Sequence, residues 1–110
     1  MKIKENVYFE HISGRKYFGD LHVNYYENND RIALQLIDSS EGYDEPIADC
    51  TVNISNIYLK ENQVVIKDYT ESEGMLKSLI DQKIVKKIYE YQSGFVTFPV
   101  CELLIEIPVS

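Results

Sequence analysis

Three features of this 110-residue sequence predict an α+β fold: a mainly antiparallel β-sheet of five to seven strands, with one principal α-helix near residues 70–82 packed on one face. The first half alternates apolar and polar residues with the period of two that marks half-buried strands. One stretch after Lys67 carries the apolar spacing of a helix. The tail then returns to strand-like runs, so the element order is βββββ-α-ββ with a single helix serving the sheet.

Taken in order, Val7-Tyr8-Phe9 with Ile12 predicts a first strand, stopped by Ser13-Gly14. From Tyr17 to Tyr26, Leu21, Val23 and Tyr25 fall on one face and Asp20, His22 and Asn24 on the other. Asn28-Asn29-Asp30 is a turn, since Asn and Asp tolerate left-handed backbone and bond their own amides. It leads into a third run, Arg31 to Asp38, with Ile32, Leu34 and Leu36 on one face, so a hairpin is expected. Ser39 to Glu45 is a polar loop containing Gly42. Pro46 opens a fourth run, in which Ala48, Cys50 and Val52 alternate with Asp49, Thr51 and Asn53. Val64-Val65-Ile66, β-branched throughout, predicts a short fifth strand.

Thr70 and Glu73 have the spacing of a capping box, and Met75, Leu76, Leu79 and Ile80 then form one apolar stripe. Gly74, expected in the first helical turn, leaves room for a close neighbour. Val85, Ile88, Tyr89 and Tyr91 form a run ending at Ser93-Gly94. Phe95 to Ile107 is the most apolar strand, interrupted by Pro99, which marks an edge, a bulge or a bend because proline cannot donate to a ladder. The expected core is Leu34, Leu36, Val52, Met75, Leu76, Leu79, Ile80, Val96, Val100 and Leu103.

The length suits one domain, residues 1–110, and a 45% hydrophobic content is enough to build its core. No apolar run approaches the roughly 20 residues that cross a bilayer, and the N-terminus lacks the apolar stretch of a signal peptide. A cytoplasmic protein with no membrane association is therefore expected, with Cys50 and Cys101 as reduced core thiols. His11 and His22 sit on different predicted strands, and neither C-x-x-C nor H-E-x-x-H spacing occurs. Cys101 lies amid Phe98, Val100 and Leu103, surroundings that leave a thiol inert. The glycines do not cluster into a phosphate-binding loop. No catalytic, cofactor-binding or metal-ligating set emerges, and the chain reads as non-enzymatic.

Charge carries the most information. The net charge is −7, and the segment from Tyr17 to Asn56, with eight acids and one base, accounts for all of it. Binding of nucleic acid through a basic face is disfavoured there. A protein partner with a basic surface is favoured, because a concentrated field steers association. The candidate partner-binding residues are Asp20, Glu27, Asp30, Asp38, Glu41, Asp44 and Glu45. Solubility is the competing explanation of the same acids. Lys83, Lys86 and Lys87 fall after the helix, where cations complement its dipole. If the acids are not the site, an aromatic one built on Tyr26, Tyr43, Tyr89 and Tyr91 is the alternative.

Three runs, Ala33 to Asp38, Val64 to Leu76 and Ser93 to Leu104, resemble a family of small domains carried by plasmids, conjugative elements and phages of bacteria. The segment Lys67 to Leu76 and the run Gly94 to Cys101 are the most specific parts of that resemblance, which spans roughly residues 30–106. It carries over no catalytic residue. It implies a mobile-element context, in which small acidic proteins of the anti-CRISPR type block RNA-guided nucleases by occupying their positively charged channels. Two alternatives stand beside that expectation. One is an accessory or regulatory interaction module of a mobile element, with a homodimer through an exposed strand edge open to it. The other is a small ligand binder or enzyme whose pocket only the fold would reveal.

Overall fold

Alternation in the first half resolves into four strands: β1 (Lys2–Glu10), β2 (Lys16–Tyr25), β3 (Ile32–Asp38) and β4 (Glu45–Asp49). They pair antiparallel in the order β1-β2-β3-β4. The second half supplies β5 (Gln63–Val65), α1 (Met75–Asp81), β6 (Val85–Ser93) and β7 (Val96–Leu103), and a second antiparallel sheet in the order β5-β7-β6. The structure is a computed structural model and describes residues 1–107, so the last three residues of the expected domain lie outside the described ones. The fold is α+β and mostly β, with two sheets where the sequence suggested one. Among the described residues no helix is long and apolar enough to cross a membrane.

The two sheets are stitched where β4 runs on into Cys50–Val52. Val52 N–H donates to the Val65 carbonyl (3.0 Å) and Lys67 N–H to the Cys50 carbonyl (2.9 Å), flanking an isolated Thr51–Ile66 bridge. Pro99 explains why β5 is short. Its carbonyl accepts from Ile66 N–H (3.0 Å), but it has no N–H to return, and the β5–β7 ladder stops at Val65. Alternation within the small sheet then separates two apolar clusters. Val64, Cys101 and Leu103 join the main core with Val7, Phe9, Leu21, Leu34, Leu36, Met75 and Leu79. Val65 and Val100 face the other way, against Ile57.

β1 is longer than expected because Asn6, at φ 56°, interrupts its alternation, and the register with β2 shifts between Lys4 and Val7. Ile12 lies beyond that strand, in the turn, and is exposed.

The helix is shorter than expected and starts differently. Thr70 to Ser72 form a 3₁₀ turn, Thr70 has a left-handed φ of 52°, and Glu73 is extended, so the capping box does not form. Asp68 does that work instead: its carboxylate accepts from the amides of Gly74 (3.0 Å) and Leu76 (3.1 Å). Gly74 is the N-cap at φ 106°, and a Cβ there would lie 2.3 Å from the Glu10 carbonyl oxygen. The close approach expected of this glycine is thus present, outside the helix proper.

α1 ends in a Schellman motif, with Lys83 N–H donating to the Ile80 carbonyl and Ile84 N–H to the Leu79 carbonyl, each at 2.9 Å. Lys83 occupies the left-handed position, φ 59°, that glycine usually takes.

Six expected core residues are buried: Leu34, Leu36, Met75, Leu79, Val100 and Leu103. Val52 and Leu76 are half-buried, whereas Ile80 (38% exposed) and Val96 (52%) are not core residues. The inward face of the helix is Met75, Ser78, Leu79 and Gln82. Its two polar members bond the outer edge of β1. Tyr8 N–H donates to the Gln82 side-chain oxygen (2.9 Å), the Gln82 amide donates to the Tyr8 carbonyl (2.8 Å), and Glu10 N–H donates to the Ser78 hydroxyl (3.0 Å). Ile80 is turned outward by that geometry. Val96 stands beside the two-residue turn Gly94-Phe95 of the β6–β7 hairpin, beyond the reach of either core.

Candidate functional site

The seven acidic residues singled out from the sequence divide between two ends of the four-stranded sheet. Asp38 closes β3, Glu45 opens β4, and the two face each other across the ladder, with Glu41 and Asp44 on the connecting loop. Asp20, opposite Ile37 on β2, completes this group. Glu27 and Asp30 lie in the β2–β3 turn at the opposite end.

The loop end is built by its own side chains. The Asp38 carboxylate accepts from Ser40 N–H (2.9 Å), which holds its pKa below the usual carboxylate value, and the Ser39 hydroxyl donates to Asp44 (2.7 Å). These bonds fix the path of the loop while Glu41, Tyr43, Asp44 and Glu45 remain exposed. Two adjoining clefts run along its base and share Phe18, Asp38 and Ser40. One, of about 380 Å³, also takes in Asp20; the other, of about 620 Å³, takes in Glu45 and Lys16.

Phe18 is 63% exposed at the junction of these clefts, with the Lys16 ammonium 5.9 Å from its ring centroid and 4.5 Å from that of Tyr8. Sequence reasoning passed over Phe18, although the β2 alternation already puts it on the polar face with Asp20, His22 and Asn24. Asp20 is the least available of the group. It accepts from Asn6 N–H (3.2 Å), holding the β1 bulge, and Lys2 approaches it at 4.0 Å.

The turn end is a clasp. Arg31 donates to the carbonyls of Ile54 (2.6 Å) and Ile57, and Asn28, Asn29 and Asn53 interlock through their amides. Glu27 and Asp30 are exposed beside it, but the sheet separates them from the loop group.

The alternative tyrosines scatter. Tyr26 is half-buried and bonded to the Thr51 hydroxyl (2.9 Å), and burial raises its pKa. Tyr43 belongs to the acidic loop, and Tyr91 packs on the smaller core. Tyr89 stands on the β6–β7 hairpin, whose tip residue Phe95 is fully exposed.

Burial pushes both the Cys50 and Cys101 thiols up to about 12, so neither is a nucleophile at neutral pH. Among the described residues no group of three or more His, Cys, Asp and Glu could hold a metal ion. The chain matches no family model, no curated protein sequence and no solved structure.

Proposed function

We propose that this chain is a non-enzymatic binding protein that meets a basic partner surface with the loop end of its four-stranded sheet. One observation carries the reading: Asp38, Glu41, Asp44 and Glu45 gather on one pre-shaped loop, beside the exposed aromatics Phe18 and Tyr43. Carboxylates steer a basic surface into place, and exposed aromatic rings supply contact area and stack on Arg and Lys. In the mobile-element context that the sequence resemblance implies, the partner is a host-defence nuclease, with the loop occupying its nucleic-acid channel in the manner of an anti-CRISPR protein.

The test is charge reversal at one end only. Glu41→Lys, Asp44→Lys and Glu45→Lys together should abolish inhibition and binding of RNA-guided nuclease ribonucleoproteins, while Glu27→Lys with Asp30→Lys should leave both intact. Wild-type binding should weaken as salt rises, since exposed charges beyond about 8 Å are screened at physiological ionic strength. Equal effects from the two ends, or binding indifferent to salt, would sink the proposal.

A second reading rests on the β6–β7 hairpin. Phe95 at its tip and Val96 beside it are the exposed apolar contacts expected of an accessory interaction module. Phe95→Ser would then remove partner binding that the loop reversal leaves untouched.

A further inference from the structure

We infer that the groove between α1 and the β1–β2 turn docks a short basic and apolar segment of a protein partner, with an apolar side chain on Ile12, Leu76 and Ile80 and a neighbouring Lys or Arg against Glu10 and Glu73. This surface shares no residue with the acidic loop and stands without it. The groove holds about 580 Å³, room for one or two side chains of a peptide.

Its floor is the part of the apolar helix stripe that the core covers only in part. Leu76 and Ile80 are four residues apart and so lie side by side on the helix surface. The Ser78 and Gln82 bonds to β1 fix the helix rotation that turns Ile80 outward, while half-buried Leu76 packs on the edge of the core and leaves part of its side chain open to the groove. Ile12 closes the groove from the other side and is 68% exposed. It is nevertheless held in place. Its own N–H donates to the Glu73 carbonyl (3.0 Å), and the adjoining turn is closed by His11 N–H to the Arg15 carbonyl and Gly14 N–H to the His11 carbonyl, each at 2.8 Å. Apolar side chains on a fixed frame lose little freedom on binding, which is the condition for a small contact to count.

Charge selects the occupant. Glu10, Asp68, Glu73 and Asp81 line the groove with Lys77 as the one lysine, and His11 is its remaining titratable base. Lys77 is tied to Asp81 at 2.6 Å, and Asp68 is committed to the helix cap. Glu10 has only a loose pairing with Lys16 (4.0 Å), and Glu73 is exposed. An acidic rim around an apolar floor accepts a cation next to a branched aliphatic side chain and repels an acidic peptide.

The experiment is amide chemical-shift mapping on the full chain with three synthetic peptides of equal length: one repeating Lys-Leu-Ile-Arg, one with Glu in place of its cations, and one with Ser in place of its aliphatics. The first should give saturable shifts confined to residues 8–14 and 73–81. The Ser peptide should bind about tenfold more weakly, the loss expected for one buried aliphatic side chain, and the Glu peptide should not bind. Ile80→Ser and Ile12→Ser alter exposed positions and should keep the dispersed spectrum while weakening the first peptide by a similar factor. Absence of saturable shifts, equal binding of all three peptides, or shifts centred on residues 38–45 would overturn the inference.

Discussion

Backbone at Gly74 and Lys83 brackets α1, and the two positions call for opposite predictions. At Gly74 a Cβ would meet the Glu10 carbonyl oxygen, and the left-handed φ already disfavours any other residue. Gly74→Ala should therefore destabilise by more than about 1 kcal/mol in urea unfolding. Lys83 takes a similar conformation with a side chain attached. Lys83→Gly removes that strain and should stabilise by up to about 1 kcal/mol, because the Schellman bonds stay while the αL cost disappears. Equal and opposite signs to these would mean that neither position limits the helix.

Glu71 offers a test by pH: its hydrogen bonds with Lys67 and Thr70 bring its carboxyl down to about 2. A lowered folded value means that this contribution is present above the ordinary carboxylate pKa of about 4.3 and is lost as pH falls from there through the folded value. Both groups touch solvent, so screening keeps the contribution small. An NMR titration should show the low midpoint in the wild type, and Lys67→Met should move it up towards the ordinary range.

At the scale of elements, the helix shows where a one-dimensional reading stops. Counting apolar residues gives the stripe Met75, Leu76, Leu79 and Ile80, whereas the inward face is Met75, Ser78, Leu79 and Gln82. Periodicity locates the helix, but two polar side chains decide its rotation by bonding a strand some 70 residues earlier. Nothing local in the sequence announces that. Long-range pairing also explains the missed length of β1, since the Asn6 bulge is held by Asp20, and the loss of the capping box, since Asp68 outcompetes Thr70 for the helix amides. The hairpin at Asn28-Asn29-Asp30, the strands and the position of the helix were legible because each leaves a local pattern of alternation, β-branching or helical spacing, even where the pairing itself, as of β5 with β7, is long-range.

The acidic loop was legible as composition. Its separation from Glu27 and Asp30, and its company of Phe18, required the sheet. The helix rotation yields a clear contrast: Leu79→Ala should cost roughly 2–5 kcal/mol, while Ile80→Ala, removing an exposed side chain, should cost less than about 1 kcal/mol. Comparable losses at the two positions would mean that Ile80 faces the core after all.

Over the whole molecule, Ser78 of α1 and Gln82 at its C-cap complete a general guarding of sheet edges. An unpaired edge is a template for another chain, and folded proteins blunt it with charge, proline, bulges or a covering element. Here β4 begins at Glu45-Pro46, and its end is engaged by the Ser72 hydroxyl on the Asp49 carbonyl (2.8 Å). β6 carries Lys86, Lys87 and Glu90, with a register shift between Lys87 and Tyr89. β1 has Ser78 and Gln82 across its outer amides. A dimer by strand addition, open on the sequence alone, would have to displace one of these devices. We therefore expect the chain to sediment as a monomer at micromolar concentration. Ser78→Ala with Gln82→Ala should cost roughly 1–3 kcal/mol, the scale for leaving partly buried backbone groups unpaired. By uncovering β1, the pair should also produce concentration-dependent dimers or larger species in sedimentation velocity. If the double variant matches the wild type in both stability and sedimentation, the helix is not what keeps β1 from pairing. The protection must then come from the bulge at Asn6, whose left-handed backbone twists the strand out of register for any incoming partner.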